Sequence, residues 1–344
     1  ITIITSVEFP LQGGFDFAEP VLQQAFWLTK HVQEKHETQV ICQIGSDATI
    51  KNRMEQNTNS EKKAWELYKD KIGWEKPQEA AASITPITLD ATGVTQVVQV
   101  LPKEAEKKVM EMPDLIIDFS AEKWSWHIAK EKKVPVLFVN HPYIHDYKAP
   151  PPLPYPCMTG VSNAHCMALS GKLGVPVKKL PFGVELLEHV PKRDNKGYLL
   201  YFGRIVKERG VHEAIDLAKR RRMPLVIAGD DRFGDQGYVM DILKRCDGEL
   251  IKYFGAVGEN VKLKLMAEAH CLIVPYLSDE DAYCCQTVKL ANAMGVPSVA
   301  LWRGAVAEVM ALFETGMFPI LPSLESLYDF DFQNIPQLAP DPIA

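Results

Sequence analysis

The sequence predicts an α/β protein built from two Rossmann-like, doubly wound parallel-sheet domains, and three observations carry that prediction. Short apolar, β-rich runs alternate with amphipathic stretches along the chain. The alternation breaks at a proline-rich and then a charged segment, and afterwards restarts. The 344 residues, 47% hydrophobic and 24% charged, exceed what one ordinary core encloses.

In chain order, Ile1–Ser6 reads as a first buried strand, Phe17–Glu34 as an amphipathic helix and Gln39–Ile44 as a second strand. Residues 51–74 are polar, helical in their later part (SEKKAWELYKDKIGW) and outside the core. Leu115–Phe119, Ala121–Lys132 and Val136–Val139 repeat the strand-helix-strand rhythm. Ala149–Pro156 (APPPLPYP) is too rigid and too poor in N–H donors for a helix or a central strand, so it reads as a surface loop. The second half supplies strands at Tyr198–Phe202, Leu225–Ala228, Ile251–Phe254, Cys271–Pro275 and Ser298–Leu301. Helices fall near Arg209–Arg220, Tyr238–Arg245, Val261–Ala269 and Thr287–Met294. The charged run EHVPKRDNKG, within Val184–Gly197, reads as a linker. The expected division is 1–185, 186–322 and a tail, 323–344, returning toward the first domain.

Composition excludes some functions. A net charge of −6 argues against a broad nucleic-acid footprint and for a small-molecule or glycan partner. No run approaches the ~18 apolar residues of a membrane span, and ITIITSV carries no basic leader. The seven cysteines lack C-x-x-C pairing, and no glycosylation sequon occurs, which is a reduced, cytoplasmic pattern. Neither a G-x-G-x-x-G fingerprint nor a G-x4-G-K-[ST] loop occurs, so dinucleotide and ATP readings lose their usual support.

The most informative stretch is Phe202–Gly210 (FGRIVKERG), where a strand gives way to a helix. Gly203 frees the backbone to turn. Arg204 and Arg209 place two planar, always-charged forks beside the positive end of the helix that follows, which is the chemistry of a diphosphate clamp. As an isolated motif the two arginines read equally as solvated surface charges. Gly13-Gly14, Gly229 and Gly255 stand at strand ends, where they permit close approach or serve as plain turns.

Taken in order, TSVEFPLQGG, VPVLFVNH, VSNAHCMALSGKLGV, KKLPFGVE, LLYFGRIVKERG, LVIAGDD, IKYFGAVGENVKLKLMAEAHCLIVPY, AMGVPSVAL, GAVAEV and ETGMFPILP resemble the GT-B fold glycosyltransferases of family four. That resemblance covers most of the chain. It implies two domains facing a cleft, a nucleotide diphosphate sugar as co-substrate, retention of anomeric configuration, and neither metal nor other cofactor. It implies further that Arg204 and Arg209 hold the donor diphosphate and that Gly13 and Gly14 let the donor approach.

The chain departs from that pattern where the family carries two glutamates eight apart. The window Ser278–Leu290 (SDEDAYCCQTVKL) has acids only at its start. Counting back from Gly295 puts Leu290 at the second glutamate, and counting forward from Asp281 puts Lys289 there. Neither accepts ribose hydroxyls. Lys289 becomes either an added phosphate contact or a solvated helix lysine, with Asp281, Gln286 and Thr287 on the donor side. In the N-terminal domain Asp118-Phe119-Ser120 replaces the family's usual histidine. Asp118 either orients an acceptor hydroxyl or caps the helix at Ala121. His141, at the next strand end, matches a histidine often found there and reads as a catalytic or a structural residue.

Other features read more plainly. Lys219–Arg222 is the cationic last turn of a helix. Asp279-Glu280-Asp281 and Asp329-Phe330-Asp331 satisfy D-x-D, a metal pattern that arises easily by chance. The expected function is glycosyl transfer to a glycan, lipid-linked or small-molecule hydroxyl, in the cytoplasm with peripheral membrane contact. A nucleotide-sugar epimerase and a non-catalytic sugar-nucleotide-binding protein are the alternatives.

Overall fold

The computed structural model describes residues 1–4, 24–25, 28–29, 31–32, 34–36, 38–43, 96–100, 113–119, 125–140, 156–184, 191–229, 231, 234–257, 259–311 and 319–335. The chain forms two compact units, which divide between Gly183 and Val184.

The first unit carries a seven-stranded parallel sheet in the order β3-β2-β1-β4-β5-β6-β7. Its strands are β1 (Thr2–Ile4), β2 (Gln39–Gln43), β3 (Gln96–Val100), β4 (Ile116–Asp118), β5 (Val136–Val139), β6 (Pro156–Gly160) and β7 (Val177–Lys179). Helix α1 (Ser125–Lys132) joins β4 to β5, and α2 (Asn163–Leu173) joins β6 to β7. Helix α2 begins where the Ser162 hydroxyl accepts from His165 N, and it ends at Gly174, whose left-handed φ of 67° a side chain would resist. Strand β6 begins on Pro156 itself, so the loop expected through that residue stops one residue earlier. A first strand residue has no need of a ladder donor.

The second unit carries a six-stranded parallel sheet, β10-β9-β8-β11-β12-β13. The strands are β8 (Tyr198–Phe202), β9 (Leu225–Ala228), β10 (Ile251–Gly255), β11 (Ala269–Val274), β12 (Ser298–Leu301) and β13 (Ile320–Leu321). The helices are α3 (Val211–Arg221), α4 (Gln236–Arg245), α5 (Glu259–Glu268), α6 (Gln286–Ala293), α7 (Val306–Met310) and α8 (Leu324–Asp329). Both faces of the sheet are buried, as a covered parallel sheet requires. Tyr198, Leu200, Val226, Ala228, Leu272 and Val274 face one core, with residues of α5, α6 and α7. Leu199, Tyr201, Leu225, Ile227, Cys271 and Ile273 face the other, with residues of α3 and α8. Among the described residues no helix is long and apolar enough to cross a membrane.

The charged run expected as a linker is docked where it is described. Asp194 N and Lys196 N donate to the Ala267 and Glu268 carbonyls at 3.2 and 2.8 Å, and Arg193 Nη1 donates to Ala267 O at 2.8 Å. These carbonyls close helix α5, and a helix end leaves its last carbonyls in need of donors. The tail is committed as well. Ser323 and Ser326 form a capping box for α8, Tyr328 donates to Glu213, and Arg220 lies 4.3 Å over the Tyr328 ring. Leu327, Phe332 and Ile335 enter the α3 side of the core. A return toward the first domain therefore concerns residues 336–344, which lie outside the described residues.

His270 joins the two ends of this unit. Its Nδ1 stands 3.0 Å from Asn195 Nδ2, and its Nε2 stands 2.6 Å from Phe332 O. The Nε2–H tautomer satisfies both, since an amide nitrogen only donates and a carbonyl only accepts. Phe332 is 2% exposed, so Phe332→Ala should lower unfolding free energy by about 3–5 kcal/mol. Urea denaturation measures this, and a change under about 1 kcal/mol would show that the tail is not part of this core.

Candidate functional site

In a doubly wound sheet the ligand crevice opens where strand order reverses, outside the carboxyl ends of the strands. In the second unit that point lies between β8 and β11, and three backbone crossings shape it. Gly203 N donates to Ala228 O at 3.1 Å and Gly229 N to Gly255 O at 2.7 Å, so the chain leaving β8 passes directly over the chain leaving β9. A Cβ on Gly229 would stand 1.6 Å from Gly203 O. Leu277 N donates to Glu208 O at 2.7 Å, which ties the segment after β11 to the turn after β8.

The helix expected from Arg209 starts later. Lys207–Arg209 form a 3-10 turn, Gly210 follows at φ 68°, and α3 begins at Val211. Gly210 breaks the helix because its Cα faces Pro275 O; a Cβ there would stand 2.0 Å from that oxygen. Arg209 thus sits on the turn before the helix, and its guanidinium lies 5.1 Å over the Tyr276 ring.

Arg204 and Arg209 converge on one atom. Arg204 Nη2 is 2.8 Å and Arg209 Nε 3.0 Å from Oδ1 of Asp281. Their side chains are 27% and 15% exposed, and that of Asp281 is 10% exposed. Neither arginine is the solvated surface charge that an isolated motif allows. Asp281 belongs to the 3-10 turn Glu280–Ala282, which is pinned to the start of α7. Gly304 N donates to Asp279 Oδ1 at 2.8 Å, and Ala305 N donates to Ala282 O at 3.0 Å. Gly304, at φ 46°, leaves no room for a Cβ, which would stand 2.4 Å from Asp279 O.

Helix α6 opens in the same region. Its N-cap, Cys285, has φ 50° and no side-chain cap bond, and its thiol donates to Ala282 O at 3.0 Å. Burial pushes the Cys285 thiol up to about 12, with Lys289 and Arg209 pulling it back. Gln286 and Thr287 form the first turn and are half-buried. Lys289 is 7% exposed, which corrects the reading of it as a solvated helix lysine. Burial lowers its ammonium below the usual lysine range, opposed by Cys284, Cys285 and Glu308 of α7. The sequence pattern pointed to neither Tyr276 nor the Asp279–Gly304 tie. Only the R-G dipeptide at Arg209-Gly210 hinted that the helix starts late.

In the first unit Asp118 ends β4, beside Ile4 of β1 and Phe138 of β5. It is fully buried and accepts the hydroxyl of Ser125, the first residue of α1. An enclosed carboxylate bonded to its own following helix does structural work, so the acceptor role expected of Asp118 gives way to holding α1 on the sheet. Gly13, Gly14 and His141 lie outside the described residues. Just before His141, Asn140 is buried and donates to Thr159 O at 2.7 Å.

No protein-family model matches the sequence, and no curated protein sequence matches it. Solved structures do. HepE from Anabaena, in complex with UDP and glucose, is 15% identical, with a TM-score of 0.61 over 95% of this chain and 87% of that one. Sucrose-phosphate synthase from Thermosynechococcus elongatus is 12% identical, with a TM-score of 0.57 over 95% and 87%. AviGT4, a glycosyltransferase involved in avilamycin A biosynthesis, is 17% identical, with a TM-score of 0.53 over 95% and 90%. The chain has the GT-B glycosyltransferase fold.

Proposed function

We propose that this GT-B chain is a glycosyltransferase that moves a sugar from a nucleoside diphosphate sugar to an acceptor hydroxyl, with retention. The observation that carries it is the convergence of Arg204 and Arg209 on one anionic oxygen at the switch point of the second sheet. Solved structures of the same fold, HepE with UDP and glucose among them, support the donor class. As the glycosidic bond breaks toward an oxocarbenium-like state, negative charge builds on the leaving diphosphate. Two guanidiniums already in place, with the N-terminal amides of α3 and α6 near them, stabilise that charge without reorganising. Lys289 adds positive charge beside the nucleotide, while Gln286 and Thr287 face its ribose. The donor phosphate serves as the base for the acceptor proton. Thiols left free in a reducing cytoplasm fit the six described cysteines, all unpaired.

The two alternatives differ in what they consume. An epimerase consumes donor without acceptor, and a non-catalytic binding protein consumes none. The last reading draws on Lys289 and Leu290 standing where the resemblance places a glutamate. Turnover of UDP-, GDP- and ADP-sugars, with and without acceptor extract, separates the three. Donor loss that depends on acceptor supports transfer. Loss of donor with no acceptor, or no loss at all, assigns one of the others.

Activity should survive chelation. In Asp279-Glu280-Asp281 the outer carboxylates are engaged, one by Gly304 N and one by the arginines. Full activity in EDTA is expected, and loss restored by magnesium or manganese would return this D-x-D to a metal role.

A further inference from the structure

We infer that Asp281 is an internal counter-ion that the donor must displace, and that it thereby makes the clamp selective for diphosphates over singly phosphorylated or carboxylate ligands. The inference rests on the donor reading above. To a guanidinium, a carboxylate oxygen and a phosphate oxygen are equivalent acceptors of a charge-assisted hydrogen bond. Oδ1 of Asp281 takes one such bond from each arginine, at 2.8 and 3.0 Å, and so occupies the point where a phosphate oxygen would be held.

The two sides of this contact differ in freedom. Asp281 has a short side chain on a turn held at both ends, by Ala282 N to Asp279 O at 3.1 Å and by Ala305 N to Ala282 O at 3.0 Å. The carboxylate is therefore presented in one place. The arginines have long stems, but Arg209 is braced by Tyr276. An incoming anion must replace both bonds to Oδ1 at once. A diphosphate brings several oxygens over two phosphorus atoms and can satisfy both guanidiniums with charge to spare. A monophosphate or a carboxylate brings little more than Asp281 already supplies. The apparent affinity for any anion falls by the fraction of molecules in which Asp281 has let go.

Removing the charge should raise affinity. Calorimetric titration of the parent, Asp281→Asn, Asp281→Ser and Asp281→Glu with UDP, GDP, ADP and UMP tests this. For whichever diphosphate the parent binds, Asp281→Asn and Asp281→Ser should bind about tenfold more tightly, as for a clamp that is released about one time in ten. The gap between UDP and UMP should narrow in both, and Asp281→Glu, which keeps a competing carboxylate, should stay within about threefold of the parent. Two neutral substitutions guard against one failing to fold, and circular dichroism matching the parent's qualifies each. Unchanged or weaker binding in a folded neutral variant overturns the counter-ion and leaves the donor reading standing. A parent that binds no nucleoside diphosphate overturns both.

Discussion

Arg209→Ala is expected to lower kcat/KM for the nucleotide sugar by roughly tenfold to a hundredfold, the loss of one charge-assisted phosphate contact of about 1.5–3 kcal/mol. The effect should exceed that of Arg204→Ala, because Arg209 is the less exposed of the two and is braced over Tyr276. Stability should change little, since Asp281 keeps its bond to Arg204 at 2.8 Å. Steady-state kinetics with thermal melts separates the two effects. A kcat/KM within twofold of the parent, in a protein that melts normally, would remove the clamp from the mechanism.

Gly229→Ala should produce the largest loss of stability at the site. The added Cβ would stand 1.6 Å from Gly203 O and 2.7 Å from its carbonyl carbon, both backbone atoms that no rotamer change can move aside. To make room, the turns after β8 and β9 must separate, endangering the bonds from Gly203 N to Ala228 O and from Gly229 N to Gly255 O. A loss upwards of about 3 kcal/mol follows, seen as a fall of roughly 6 °C or more in melting temperature. Gly171 of α2, with nothing within 4 Å of its added Cβ, is the control. Gly171→Ala should be neutral or slightly stabilising. Equal melting of the two variants would mean that the crossing is looser than described.

The sequence made the parallel architecture legible because most strands are unbroken apolar runs, the mark of a sheet covered on both faces. It was less legible where that mark is absent. Strand β3 (QVVQV) has polar ends, β6 starts on proline, and β7 is a three-residue edge (VKK) with two exposed lysines. The clamp was legible as a pair of arginines, but its partner was not. Asp281 lies 77 and 72 residues from them, and only the strand order brings β11 beside β8. Lys289 misled for a different reason. A lysine on an amphipathic helix ordinarily points to water, and only the packing of α6 beneath α7 shows it enclosed.

The imidazole of His270 gives the second unit an unusual property of connectivity. The segment that enters the unit and the segment that leaves it meet on opposite nitrogens of one ring, at Asn195 and Phe332. The chain between them is therefore closed nearly into a circle, with both ends at the amino end of β11. A domain whose termini meet can be cut elsewhere and rejoined without disturbing its core. It can also be inserted into a host chain as a self-contained lobe. Folding acquires an order from the same geometry: the clasp has nothing to fasten until β11 is in place, so the entry and exit segments lock late and together.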